Sequence, residues 1–440
     1  MTDIKVRFAP SPTGYMHIGN TRTAVFNWLL AKKLGGKFML RIDDTDVLRS
    51  KKEYEDALRD VLQWMGLNWD EEARQSARLD RYNEVVEKLK SQGRVYACYE
   101  TAEELEVMRK RLMSRGLPPI YDRSALKLTA EQIAAYEAEG RKPHYRFKLV
   151  EGEISWNDMI RGECRYDAAK LADPVIIRAD GSYLYHLPSV IDDVDFGITH
   201  IIRGEDHVTN TALQIQMFLA IGGKLPEFGH LPLLTGAEGK LSKRLGSLGV
   251  RELREEGVEA LAISSFLAKL GTSEAIEPFY DLESLAASLD FGKLGRSQPK
   301  FSVEELQTFN THYVRSLPFA MVKDRINVDE DFWNTLRGNL NKVSDVADWQ
   351  NICCQKLKPV IEDDDLTSQA ASILPLEPWD ENTYSAWVAE LKNVSGKSGK
   401  NLFHPLRMAL TAAPQGPELK VLLPLLGRQK VYDRLLGKEA

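Results

Sequence analysis

The feature that most constrains this chain is an apolar strand running into a helix through a loop of prolines and glycines. Ile4 to Ala9 has strand composition, Pro10, Pro12, Gly14 and Gly19 punctuate the connection, and Thr21 to Leu34 has helical spacing until Gly35-Gly36 stops it. His17 therefore stands near a helix N-terminus. Unpaired backbone N–H groups and the positive end of the helix dipole attract polyphosphate there, and glycine admits a ligand close to the backbone. A nucleotide suits that geometry. Such loops are common, however, and a lone histidine at a helix start is more often structural than functional. A second element tips the balance: Gly239-Lys240-Leu241-Ser242-Lys243-Arg244 sets two lysines three apart beside glycine and serine, after the apolar run Leu231 to Leu234. It reads as a cationic loop that can close on a nucleotide and offset charge growing on a phosphate under attack.

The order of elements predicts a split nucleotide-binding domain. Strand, helix and strand run through Ile42, followed by helical patterns at Lys51 to Met65 and Leu79 to Lys90. A mixed α+β segment over about residues 95 to 170 reads as an insertion, with strands at Val95 to Tyr99, Tyr145 to Val150 and after Glu153, and helices at Ala102 to Ser114 and Ala130 to Glu137. Strands are then expected at Val175 to Arg178 and Tyr183 to His186, joined by the hairpin signal Asp180-Gly181. A helix near Pro188 to Asp195, a strand His200 to Arg203, a helix through Leu213 and a strand His230 to Leu234 complete the pattern. Alternating strands and helices predict an α/β, doubly wound parallel sheet with its ligand beyond the carboxyl ends of the strands. Beyond Leu248 only amphipathic helices appear, so the C-terminal half is expected to be all-helical.

The chain has 440 residues, room for two or three domains. Its N-terminus enters a strand without a basic, apolar and small-residue progression, and its longest apolar stretches are too short or interrupted to span a bilayer, so a cytoplasmic protein without a membrane segment is expected. The formal charge of −6 opposes nucleic-acid binding in total but not in distribution. Residues 362 to 390 are acidic, whereas Lys392 to Lys438 holds nine basic residues, either a solvated helix face or a nucleic-acid surface. Four cysteines, Cys98, Cys164, Cys353 and Cys354, are too few and too scattered for a disulfide scaffold.

His17-Ile18-Gly19-Asn20 and Lys240-Leu241-Ser242-Lys243-Arg244 resemble the HIGH-type and KMSKS-type signatures of class I aminoacyl-tRNA synthetases. Arg7 to Gly14, Arg41 to Asp46, Ile202 to His207 and Gly399 to Arg407 are similar to blocks of the bacterial glutamyl-tRNA synthetases, so the resemblance covers essentially the whole chain. It implies a Rossmann-type catalytic domain in two halves, residues 1–80 and 171–247, around an acceptor-end-binding insertion at 81–170. A helical stem-contact domain at 248–318 and a helical anticodon-binding domain at 319–440 would follow. It implies ATP and Mg²⁺ as cofactors and, as partners, L-glutamate and the glutamate tRNA, with the glutamine tRNA left open and a monomer expected.

By the same resemblance His17, Lys240 and Lys243 are catalytic. Arg7, Ala9, Ser11, Asp43, Tyr185 and Arg203 would bind glutamate, and His17, Gly19, Asp206, Lys240, Ser242 and Lys243 would bind ATP. Guanidinium groups suit a substrate with two carboxylates through bidentate pairing. Either arginine could instead pair with Asp43 to Asp46 or Glu205, and the sequence leaves open which arginine takes which carboxylate. Asp43, Ser189 and Asp206 depart from the residues usual in the family, Asp43 being one methylene shorter than the glutamate expected there. Some relatives hold zinc in the insertion, but here Glu100 stands where a second cysteine would follow Cys98, and Tyr121 to Arg123 offers no thiol or imidazole, so no zinc is expected. A small nucleotidyltransferase, a catalytically dead tRNA-binding paralogue, a glutaminyl-tRNA synthetase and a queuosine-modifying relative are weaker readings. The first and last lack a helical tail, the third carries β-barrels there, and the second would not need intact His17, Lys240, Lys243, Arg7 and Arg203.

Overall fold

A computed structural model of the chain describes residues 3–236, 239–240, 249–380 and 382–440, with backbone only at 239–240. By compactness it falls into two units, Met1–Glu255 with Ile263–Val303, and Glu256–Ala262 with Glu304–Ala440. The segment 248–318, expected as a separate stem-contact domain, is thus distributed over both.

The first unit is built on a seven-stranded sheet in the order β3(Glu71–Arg74), β2(Lys37–Ile42), β1(Lys5–Phe8), β9(His200–Gly204), β10(Glu227–Leu231), β6(Glu153–Asp158), β7(Gly162–Asp167). Every neighbouring pair is parallel except β6 with β7. The two strand–helix halves therefore meet where β1 lies beside β9. A separate antiparallel sheet joins β4(Val95–Cys98), β5(His144–Phe147) and β8(Val175–Ile177), while β6 and β7, expected within the insertion, extend the main sheet. The charged edge strand β3 carries no apolar alternation and escaped the periodicity reading.

Helix α1(Ile18–Lys33) buries eleven of its sixteen residues, which marks it as an interior helix rather than an amphipathic one. Helices α2(Lys52–Trp64) and α3(Leu79–Ser91) bury one face each. The insertion carries α4(Ala102–Ser114) and α5(Ala130–Ala138), each opened by a threonine capping box. The expected strand at Tyr183 to His186 is not formed. Tyr183 makes one bridge to Ile177 across the turn at Gly181, whose φ is +85°, and the chain then enters α6(His186–Asp195). Pro188 in the first turn of α6 needs no amide partner there and so favours the helix. Helix α7(Val208–Ile221) packs against α6 and ends at Gly222, which adopts φ +85°.

The regular elements of the second unit are all helices among its described residues. Trp333 and Trp387 are fully buried, and their indole N–H groups donate to the carbonyls of Leu317 and Ala370, both at 3.0 Å. Arg434 is equally buried and donates to the carbonyls of Leu410, Ala440 and Gln355 at 2.7, 2.9 and 3.2 Å. Replacing Trp333 by alanine opens a cavity and orphans the Leu317 carbonyl, so a loss of about 3–5 kcal/mol of stability is expected, read as a lower urea midpoint.

Candidate active site

A cavity of about 520 Å³ opens where β1, β9 and β10 end, lined by the loop after β1, the start of α1, Tyr185, Arg203, Asp206 and the segment 231–234. It gathers Arg7, Ala9, Ser11, His17, Gly19, Tyr185, Arg203 and Asp206. Asp43 is not among its lining. The Lys240 side chain, Ser242 and Lys243 lie outside the described residues, but the backbone on either side is placed. Leu234 lines the cavity, Thr235 pairs with Lys240, and Gly249 bridges His17.

His17 caps α1. Its Nδ1 accepts from the Gly19 and Asn20 amides at 3.1 and 3.2 Å, and burial holds its pKa below the ordinary value. A neutral imidazole that accepts at Nδ1 carries its proton on Nε2, which leaves that N–H to donate to a ligand. A Cβ at Gly19 would stand 3.1 Å from the His17 ring, so any larger residue there presses on the capping imidazole.

Behind the cavity the charges are shared among β1, β2 and α6. The fully buried Arg41 donates to both oxygens of Asp43 at 2.7 and 3.1 Å and to Asp193 at 2.7 Å. Arg7 Nε reaches the same Asp193 oxygen at 3.2 Å. Ser189 lies against both Arg41 and Asp43, and Asp192 accepts from Gln75, Arg78 and Tyr82. Asp43, the residue after β2 ends, is two positions from Arg41 and within bidentate reach of its guanidinium. Burial, then the nearby Asp192 and Asp193 charges, push its carboxyl up to about 6 against the pull of Arg41.

Arg203 differs. It is buried, yet among the described residues it holds neutral partners only: Tyr185 Oη at 3.0 Å, Thr211 Oγ1 at 2.5 Å and His230 Nε2 at 3.4 Å. Its pKa is lowered by burial. The pocket therefore keeps a guanidinium whose charge no protein carboxylate cancels at contact distance, a natural seat for a substrate carboxylate. Arg22 also lines the cavity, donating to the carbonyls of Pro232 and Leu270 at 2.7 and 3.0 Å. A basic residue one turn into an otherwise apolar helix was the signal for Arg22, and sequence reasoning passed over it, as it did over Asp193 and His230.

The register of β4 and β5 sets Cys98 opposite His144 and, with Glu100, forms the group of three donors close enough to share a metal ion among the described residues. Glu100 Oε1 accepts from Tyr121 at 2.6 Å and Ser124 at 3.1 Å, while Glu100 Oε2 and His144 Nε2 are buried without a hydrogen-bond partner. Burial pushes the Cys98 thiol up to about 12, and the Arg146 guanidinium stacks on Tyr121. Three donors of this kind fall short of a structural zinc tetrad.

Fold and cavity together define a nucleotide-binding α/β domain joined to a helical unit. A family model for the catalytic domain of class I tRNA synthetases (E and Q) matches residues 3–308, and one for an anticodon binding domain matches residues 286–437. The chain is 50% identical over 443 residues to glutamate–tRNA ligase 1 of Maricaulis maris (strain MCS10), covering 99% of this chain and 100% of that protein. It is also 50% identical over 452 residues to glutamate–tRNA ligase 1 of Chelativorans sp. (strain BNC1), covering 98% and 99%. A crystal structure of a glutamate tRNA ligase from Elizabethkingia meningosepticum in complex with its amino acid superposes with a TM-score of 0.81 at 26% identity, covering 98% of both chains. The chain belongs to the glutamate and glutamine family of class I tRNA synthetases.

The site's histidines set a pH dependence. Burial, then the charge of Arg203, pushes His186 and His207 from 6.5 down to about 4. A depressed histidine pKa contributes stability that is complete above 6.5 and is lost as pH falls toward 4, because the unfolded chain then binds the extra protons. Asp43 acts oppositely between 3.8 and about 6, one group against two. The urea midpoint is therefore expected to fall between pH 7.5 and pH 4.5, and a His186→Asn variant to show a shallower fall.

Proposed function

We propose that the chain activates L-glutamate with ATP and transfers it to the 3′ end of the glutamate tRNA, acting as a cytoplasmic monomer. The observation that carries this reading is the pairing, in one cavity, of a neutral His17 that keeps its Nε2–H for a ligand at a helix N-terminus and a buried Arg203 with no carboxylate partner among the described residues. The first group suits a phosphate oxygen and the second a substrate carboxylate. Arg7, Ala9, Ser11, Tyr185 and Arg203 form the glutamate pocket in this reading. Asp43 stands behind it as the anion that holds Arg41.

The substrate α-carboxylate attacks the α-phosphorus of ATP, the bond to the β-phosphate oxygen breaks, and pyrophosphate leaves. Glutamyl-adenylate remains. No protein nucleophile takes part, so catalysis is alignment and charge stabilisation. His17 donates to a phosphate oxygen, Gly19 lets the nucleotide approach the helix start, and Lys240, Ser242 and Lys243 hold the departing phosphates. Among the cavity's described lining residues Asp206 is the one carboxylate, a single donor of the kind that takes Mg²⁺ already carried on phosphates. When bound, that ion offsets phosphate charge. A ribose hydroxyl of the tRNA then attacks the mixed anhydride and releases AMP.

Several basic residues of the helical part carry structural duties. Arg315 and Arg337 donate to the carbonyls of Leu340 and Leu317, and Arg325 pairs with Glu259 at 2.6 Å. The glutamine tRNA is the finer question. Labelled glutamate, ATP and separately purified glutamate and glutamine tRNAs decide it: charging of the glutamate tRNA is expected, and charging of neither tRNA overturns the reading. Lys243→Ala is expected to slow charging by about 10²–10³-fold. Metal analysis of the purified protein is expected to find no stoichiometric zinc, with the melting temperature unchanged by a chelator.

A further inference from the structure

Asp158, His230 and Arg203 lie on the three adjacent strands β6, β10 and β9, with His230 directly opposite Arg203 in the register. Asp158 and His230 are buried, and neither lines the cavity. Asp158 Oδ1 accepts the amides of Ile160 and Arg161, both at 3.0 Å, and Oδ2 stands 2.5 Å from His230 Nδ1. These bonds hold the carboxylate ionised, so the imidazole proton sits on Nδ1 and Nε2 must accept. At Nε2 stands Thr211 Oγ1, 2.8 Å away, and the same hydroxyl oxygen accepts from Arg203 Nη2. A hydroxyl has one proton to give. With Nε2 as acceptor the directions follow: Nδ1–H to Asp158, the Thr211 hydroxyl to Nε2 at 2.8 Å rather than to the more distant His207 carbonyl at 3.3 Å, and Arg203 to the Thr211 oxygen, while Arg203 Nε also donates to Nε2 at 3.4 Å.

We propose that Asp158, His230 and Thr211 form a positioning relay that fixes the Arg203 guanidinium for the substrate carboxylate without neutralising it. An aspartate touching Arg203 would hold it equally well but would cancel the charge the substrate needs. The imidazole and the hydroxyl interpose two neutral groups and pass on orientation alone. None of the three touches substrate; all act through Arg203. The inference rests on the proposed function, and it explains how Arg203 stays uncancelled while Arg7 shares Asp193 with Arg41.

The test measures the KM for glutamate and the KM for ATP separately in the tRNA-charging reaction of the full chain. Asp158→Asn keeps shape but donates to Nδ1, which moves the imidazole proton to Nε2 and sets donor against donor at Thr211 and Arg203. Thr211→Val removes the middle hydroxyl. His230→Gln can donate to Asp158 and accept from the Thr211 side, and so keeps the polarity. Asp158→Asn and Thr211→Val are expected to raise the KM for glutamate about tenfold or more, the effect of losing one charge-assisted hydrogen bond, with the KM for ATP within about twofold. His230→Gln is expected to stay near the wild type. Unchanged glutamate KM in the first two, an equal rise for ATP, or a His230→Gln variant as impaired as Asp158→Asn overturns the relay. Should Asp158→Asn not fold, Thr211→Val decides alone on the same criterion. Failure of the wild type to charge either tRNA strikes the proposed function instead, and is seen before any variant is compared.

Discussion

The first unit depends on one buried guanidinium. Arg41, fully enclosed on strand β2, can exist there only because Asp43 and Asp193 meet it, and their contacts tie β2 to α6 and, through Arg7, to β1. Removing one partner of such a group strands an uncompensated charge at a cost of about 3–5 kcal/mol. Behind the cavity Arg7, Arg41 and Arg78 stand against Asp43, Asp192 and Asp193. With that cluster balanced, the positive character left to the substrate comes from outside it, and Arg203 and Arg22 are buried arginines so placed, each held by neutral groups among the described residues.

The same logic separates two arginines that look equivalent in sequence. Arg7 and Arg203 end adjacent strands on one rim, yet Arg7 shares an aspartate and Arg203 leans on a tyrosine, a threonine and a histidine. The shared aspartate lowers what Arg7 can offer to a substrate, whereas the neutral set leaves Arg203 its full field in a low-dielectric setting. His17 repeats the device on the nucleotide side, where two backbone amides fix an imidazole so that its remaining N–H is committed to the ligand.

Much of this frame was legible in the sequence because it is local. The strand, Pro/Gly loop and helix from Lys5 to Lys33, the strands β2 and β9, and the helices of the tail follow from period and punctuation, whereas β10 begins and ends three residues before the expected strand His230 to Leu234. What stayed hidden was non-local. Edge strand β3 has charge where apolar alternation would have announced it. The approach of Cys98 to His144 exists only through the β4–β5 register, and the relay from Asp158 to Arg203 only through strand order. A pairing of Arg7 or Arg203 with Asp43 was one alternative the sequence left open, but the partner of Asp43 proved to be Arg41, two residues earlier near the end of β2.

The helical unit shows how a cation can be fixed and still be felt. Of the basic residues between Lys392 and Lys438, Arg407, Arg428 and Lys430 donate to backbone carbonyls, while Lys397 and Lys438 pair with Asp363 and Asp433. A carbonyl orients a guanidinium or ammonium without cancelling it; an aspartate does both. A count of basic residues therefore overstates the positive field of this tail where carboxylates intervene, and remains a fair measure where carbonyls do. The charge available to a phosphate backbone is set by which acceptors hold the side chains, the same distinction that divides Arg203 from Arg7.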